Sequence, residues 1–142
     1  MKDIFGSSWV AILVATIAFY MVGFLIFGVL FSEQWLELAG MTEADAMARN
    51  EELGAMMYVW GLALTLAQVL GLAWVMNHVG ASEIGTSLKV GATIAILFAL
   101  PILGYNWLYE ARPAAAVGID IGHLLIGYML SCAILGAFRS RD

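Results

Sequence analysis

Ser8-Trp-Val-Ala-Ile-Leu-Val-Ala-Thr-Ile-Ala-Phe-Tyr-Met-Val-Gly-Phe-Leu-Ile-Phe-Gly-Val-Leu-Phe31 carries no charge over its whole length. Charges bound it on both sides: Lys2 and Asp3 before it, Glu33 after it. As a helix rising ~1.5 Å per residue, such a run is long enough to cross a hydrocarbon core of ~30 Å. It shows no period-2 alternation and is too long for a barrel strand, which leaves the helix as the only spanning structure lipid tolerates. The run is also too long, and lacks the small-residue cleavage site, to read as a signal peptide.

Three more runs of the same kind follow: Leu53 to Asn77, Val90 to Tyr109 and Pro113 to Phe138. Together they predict an all-α integral membrane protein. Its single domain covers residues 1–142, with spans at about 8–31, 53–77, 90–109 and 113–138. The expected architecture is an up-down bundle of four transmembrane helices, with a short extramembrane helix between the first two.

Composition agrees. Of 142 residues, 63% are hydrophobic and 12% charged, against about 25% charged in soluble domains. The mean hydropathy is +0.91, so the lipid bilayer is the first partner. The net charge of −5 argues against nucleic acid, which requires a basic face. A single cysteine, Cys132, excludes an internal disulfide and a multi-thiolate metal site.

The distribution of Lys and Arg predicts orientation. Lys2, Lys89, Arg139 and Arg141 fall at one end of the four spans, Arg49 and Arg112 at the other. Both termini are therefore expected in the cytoplasm of a bacterial cell, with the chain in its inner membrane. Trp35, Tyr105, Trp107 and Tyr109 are read as interfacial anchors. In the connection between the first two spans, Gly40 is an expected helix stop. Thr42 is an expected N-cap with Asp45 as its capping-box partner, opening a helix over Glu43 to Glu52.

Any chemistry is expected at the far ends of the last two spans. Asp120 and His123 are spaced i, i+3 and share a face, which Gly127 and Ser131 continue. Asp120 follows Pro113 by seven residues, ~10 Å into the membrane. A carboxylate at that depth requires a partner or a water-filled cavity. Asn106, Glu110, Arg112 and His123 make up the polar cluster around it. It reads either as a structural clasp or as a proton or ligand site. On the opposite side of the last helix, Ala114, Gly118, Gly122 and Gly136 form a small-residue face suited to close helix packing, within the chain or between copies. Similar series are Ala63, Ala67, Gly71 and Gly91, Ala95, Ala99. Gln68 and Tyr20 are further polar groups within spans.

Several activities are excluded. His78 and His123 lie at different depths, ~15 Å apart, so one chain cannot clamp a haem between them. The first span lacks the carboxylate of small multidrug exporters. No phosphate-binding loop, nucleophile elbow or zinc motif is present. No catalytic residue, metal site or cofactor is read from the sequence.

The stretches Asn106-Trp-Leu-Tyr-Glu-Ala-Arg112, Ile119-Asp-Ile-Gly122 and Ala133-Ile-Leu-Gly-Ala-Phe138 resemble a family of small bacterial four-span proteins, domain of unknown function 1761. Phe31, Trp35, Gly40, Thr42 and Glu43 resemble its first loop. The chain departs from the family where Leu25 to Gly28 stand in place of a Trp-Tyr-Ser-Pro run. Asp120 and His123 also stand where Asn and Tyr are frequent. The resemblance implies the topology and no activity. Two function classes remain. One is a non-catalytic accessory or interaction subunit of a larger membrane complex. The other is a small oligomeric transporter or proton-coupled channel using Asp120 and His123. A protein partner or a homo-oligomer through the small-residue faces is expected in both.

Overall fold

The computed structural model describes residues 3–139; Lys2, Arg141 and Asp142 lie outside the described residues. Four of its helices are long and apolar enough to cross a membrane: α1 (Trp9–Leu30), α4 (Met56–His78), α5 (Ile84–Tyr109) and α6 (Ala114–Arg139). Two short helices, α2 (Ser32–Leu38) and α3 (Glu43–Leu53), join α1 to α4. The connection expected to hold one short helix thus holds two. Their boundary is local chemistry. Gly40 has φ +67°, a conformation that costs a side-chain-bearing residue energy, and the Met41 N–H closes the α2 end on the Leu36 carbonyl at 3.0 Å.

Thr42 then caps α3. Its Oγ1 accepts from the Asp45 N–H at 3.1 Å, and the Asp45 carboxylate accepts from the Thr42 N–H at 2.8 Å. The Thr42 backbone N–H and then its hydroxyl hold the Asp45 carboxyl below the usual carboxylate range.

Helix α5 begins at Ile84, earlier than the uncharged run starting at Val90. A charge need not mark where a helix ends, and the exposed Lys89 side chain is accommodated on the helix surface. Further along, α5 loosens into a π-helical turn over Ala95–Ala99, where the Leu100 N–H reaches back to the Ala95 carbonyl. Pro101 follows and removes another donor. Beyond this point, from Leu100 to Tyr109, no residue is buried. A second π-helical stretch, Phe24–Leu30, ends α1.

Helix α6 is central. It packs mainly on α1 and on the first half of α5, while α4 packs on α1. Ala11, Ala15 and Phe19 of α1, Val69 and Met76 of α4, and Cys132 and Leu135 of α6 are fully buried between them. Glycines set the spacing. A Cβ on Gly127 would collide with the Phe19 ring, one on Gly136 with Ser87, and one on Gly91 would stand 2.7 Å from the Tyr128 carbonyl oxygen. The buried face of α5 is the series Gly91, Ala95, Ala99, small residues that let backbones approach.

Candidate functional site

At the α5–α6 corner the chain turns through Ala111, held at φ +52°, where a non-glycine residue is strained by on the order of 1–2 kcal/mol. The Asn106 carbonyl fastens this turn, accepting from the N–H groups of Glu110 and Arg112, both at 3.2 Å. The turn directs the next side chain back along α6. Arg112 Nη1 meets Asp120 Oδ2 at 2.8 Å, with side chains only 28% and 17% exposed. Asp120 is the one acid within the four long helices, and its charge is answered inside the chain.

The rest of the expected cluster divides. Asn106 contributes its backbone carbonyl, and Glu110 is exposed. His123 is not hydrogen-bonded to Asp120. Its ring lies over Gly23, between Phe19 at 5.3 Å and Phe27 at 5.0 Å. The i, i+3 spacing puts both residues on one helix, but Arg112 comes from the corner above while the aromatic rings come from α1. The side chains therefore serve different neighbours. Trp35, expected as an interfacial anchor, packs edge-on against Phe27 at 5.7 Å with its indole Nε1 buried and without a partner.

The small-residue face also divides. Gly136 is buried against Ser87. Ala114 and Gly118 are exposed, and a Cβ at Gly118 or Gly122 would meet nothing within 4 Å. The cause is the course of α5: it leans on the C-terminal half of α6 and departs after the π-helical turn, leaving the N-terminal half of that face uncovered by the chain. Gly127, expected on the Asp120 face, receives Phe19 instead, and Ser131 beside it is fully buried with its hydroxyl unpaired.

Two groupings were not expected from the sequence. At the end of the molecule shared by the N-terminal segment and the α4–α5 connection, Arg139 donates to four oxygens. Nε reaches Ser7 Oγ at 3.0 Å, and Nη1 the Ala81 carbonyl at 3.2 Å. Nη2 reaches the carbonyls of Phe5 at 2.6 Å and Ala73 at 3.0 Å. The sequence presents Arg139 only as a topogenic charge, because three of its four partners are backbone carbonyls that leave no compositional trace. Halfway along the helices, the Tyr128 hydroxyl donates to Gln68 Oε1 at 3.0 Å. Gln68 was legible as a polar group in a span; Tyr128 was concealed among the other aromatics of a hydrophobic chain.

Asp120 and His123 line neither of two surface cavities. One, of about 370 Å³, lies beside Gln68 and Tyr128; the other, of about 290 Å³, lies beside Asp3, Asn77 and Arg139. Among the described residues no group of three or more His, Cys, Asp or Glu side chains is placed to hold a metal ion. Cys132 is buried and free.

No curated protein and no solved structure matches this chain. A family model described as "Protein of unknown function (DUF1761)" matches residues 10–136. That span takes in all four long helices except the tips of the first and last, and the chain belongs to this family.

Proposed function

We propose that this protein is a non-catalytic accessory subunit of a larger membrane complex. In this reading its four long helices form an up-down bundle in a bacterial cytoplasmic membrane, with both termini in the cytoplasm. The observation that carries the reading is the pairing of Asp120 with Arg112. A carboxylate that shuttles protons or binds a cation must be free to take up its cargo, whereas this one is occupied by a guanidinium 2.8 Å away and joins two parts of the fold. The uncovered stripe of Ala114, Gly118 and Gly122 gives a second helix a surface to approach.

The test is purification of the tagged native chain in mild detergent, with mass spectrometry of the intact assembly and its components. A larger membrane protein retained at a fixed ratio is the expected result. A homodimer without other protein, together with pH-driven flux in reconstituted vesicles, would overturn the proposal in favour of a proton-coupled transporter.

A further inference from the structure

The cavity of about 370 Å³ opens sideways between α4, α5 and α6, and its walls include Gln68, Gly71, Trp74, Ile94, Phe98 and Tyr128. It arises from how the helices lean. Helix α5 is drawn onto α6 by the close approach at Gly91, and α4 onto α1, so α4 and α5 touch little despite being consecutive. Gly71 widens the gap, since a Cβ there would meet nothing within 4 Å. The volume lies within the range of small-molecule sites, roughly 300–1,000 Å³.

The depth and polarity of this cavity define what fits it. Gln68 lies ~18 Å along α4 from Met56 and ~15 Å from His78, halfway through the span. The Tyr128 hydroxyl occupies its amide oxygen. Its amide nitrogen donates to the Leu64 carbonyl of its own helix at 3.4 Å. An amide has two N–H donors, and one left unsatisfied in an apolar medium costs roughly 1–3 kcal/mol. The cavity thus presents a hydrogen-bond donor at mid-membrane between the aromatic rings of Trp74, Phe98 and Tyr128. An acyl chain supplies no acceptor there, and a charged headgroup cannot reach that depth cheaply.

We infer that this cavity binds a neutral, lipid-soluble molecule with a flat ring and a ring carbonyl, the chemistry of a membrane quinone. The ring lies among the aromatic side chains, the carbonyl accepts from Gln68 Nε2, and the apolar tail leaves through the lateral opening. Binding alone is inferred, and it stands independently of the accessory-subunit reading, since it requires no partner protein.

The test uses the purified chain in detergent, titrated with a decyl-substituted benzoquinone and followed by the part of the tryptophan quenching that is lost in Trp74→Phe, since Trp74 stands on the cavity wall. The expected result is saturable quenching. Gln68→Leu should weaken it by about tenfold, and Gly71→Leu, whose Cβ would meet nothing within 4 Å and whose side chain would extend into the notch, should abolish it. Gly71→Leu should melt at the native temperature and Gln68→Leu somewhat lower, because it leaves the Tyr128 hydroxyl without its acceptor; Gly118→Leu, remote from the cavity, should bind as the native chain does. Quenching that never saturates, or that is unchanged in both Gln68→Leu and Gly71→Leu, would overturn the inference. Displacement of the quinone by palmitate at equal concentration would also overturn it, by showing a groove that takes any acyl chain.

Discussion

Arg112 Nη1 lies 2.8 Å from Asp120 Oδ2 across a corner held by the Asn106 carbonyl. The pair joins the turn after α5 to the body of α6, so the one acid within the long helices works between a loop and a helix rather than between two spans. The Asp120→Asn chain should therefore fold and melt close to the native protein, because an amide still accepts from the guanidinium. Asp120→Leu should lower the melting temperature, since it leaves the Arg112 guanidinium with neither a counter-charge nor an acceptor. Thermal unfolding in detergent, followed by intrinsic fluorescence, distinguishes the two.

Arg139 gathers the N-terminal segment, α4 and the α4–α5 connection with its four hydrogen bonds. Arg139→Ala should cost about 2 kcal/mol or more, because several acceptors lose a charged donor at once. Arg139→Lys should recover only part of this, since an ammonium cannot reproduce the planar fork. Equal stability of Arg139→Lys and the native chain in denaturant titrations would contradict the geometry.

The packed and the open glycines of α6 should respond differently to added bulk. Gly127→Ala should destabilise the chain by about 1–3 kcal/mol, because the Phe19 ring occupies the space. Gly118→Leu should leave the melting temperature of the monomer unchanged and alter only association with another helix. Melting curves and native mass spectra of the two variants check this.

The capping box makes the α3 start sensitive to acid. The folded Asp45 carboxyl is held below its unfolded value. Its contribution is therefore fully present above about pH 4 and is lost as pH falls through the folded value. The helicity of α3 should decline over that acid range in the native chain and should be lower at neutral pH in Thr42→Ala. Amide hydrogen exchange over residues 43–53 reports both.

Much of this was legible in the sequence, and for a physical reason. A long uncharged apolar run keeps every backbone group paired as a helix, so Ser8 to Phe31 announces a helix long and apolar enough to cross a membrane without reference to the rest of the chain. Capping is equally local, and Gly40, Thr42 and Asp45 act where the sequence places them. The Arg112–Asp120 pair was within reach of sequence because its members are neighbours across one corner. Long-range geometry was not legible. Spacing alone set Gly118, Gly122 and Gly136 on one face, but only the departure of α5 after Ala99 decides that Gly136 is packed and Gly118 open. Arg139 eluded the reading because carbonyls of remote segments look alike in every sequence.

The most direct measurement is a double-mutant cycle on the corner: Arg112→Met, Asp120→Leu and the pair together, each unfolded by denaturant in the same detergent. If the embedded charges serve structure, each single change leaves a charge without its partner and destabilises, while the double change restores most of the loss, with a coupling of roughly 1–3 kcal/mol. A double variant whose loss equals the sum of the two single losses would show that the pair holds nothing together, and the structural role assigned to Asp120 would be contradicted.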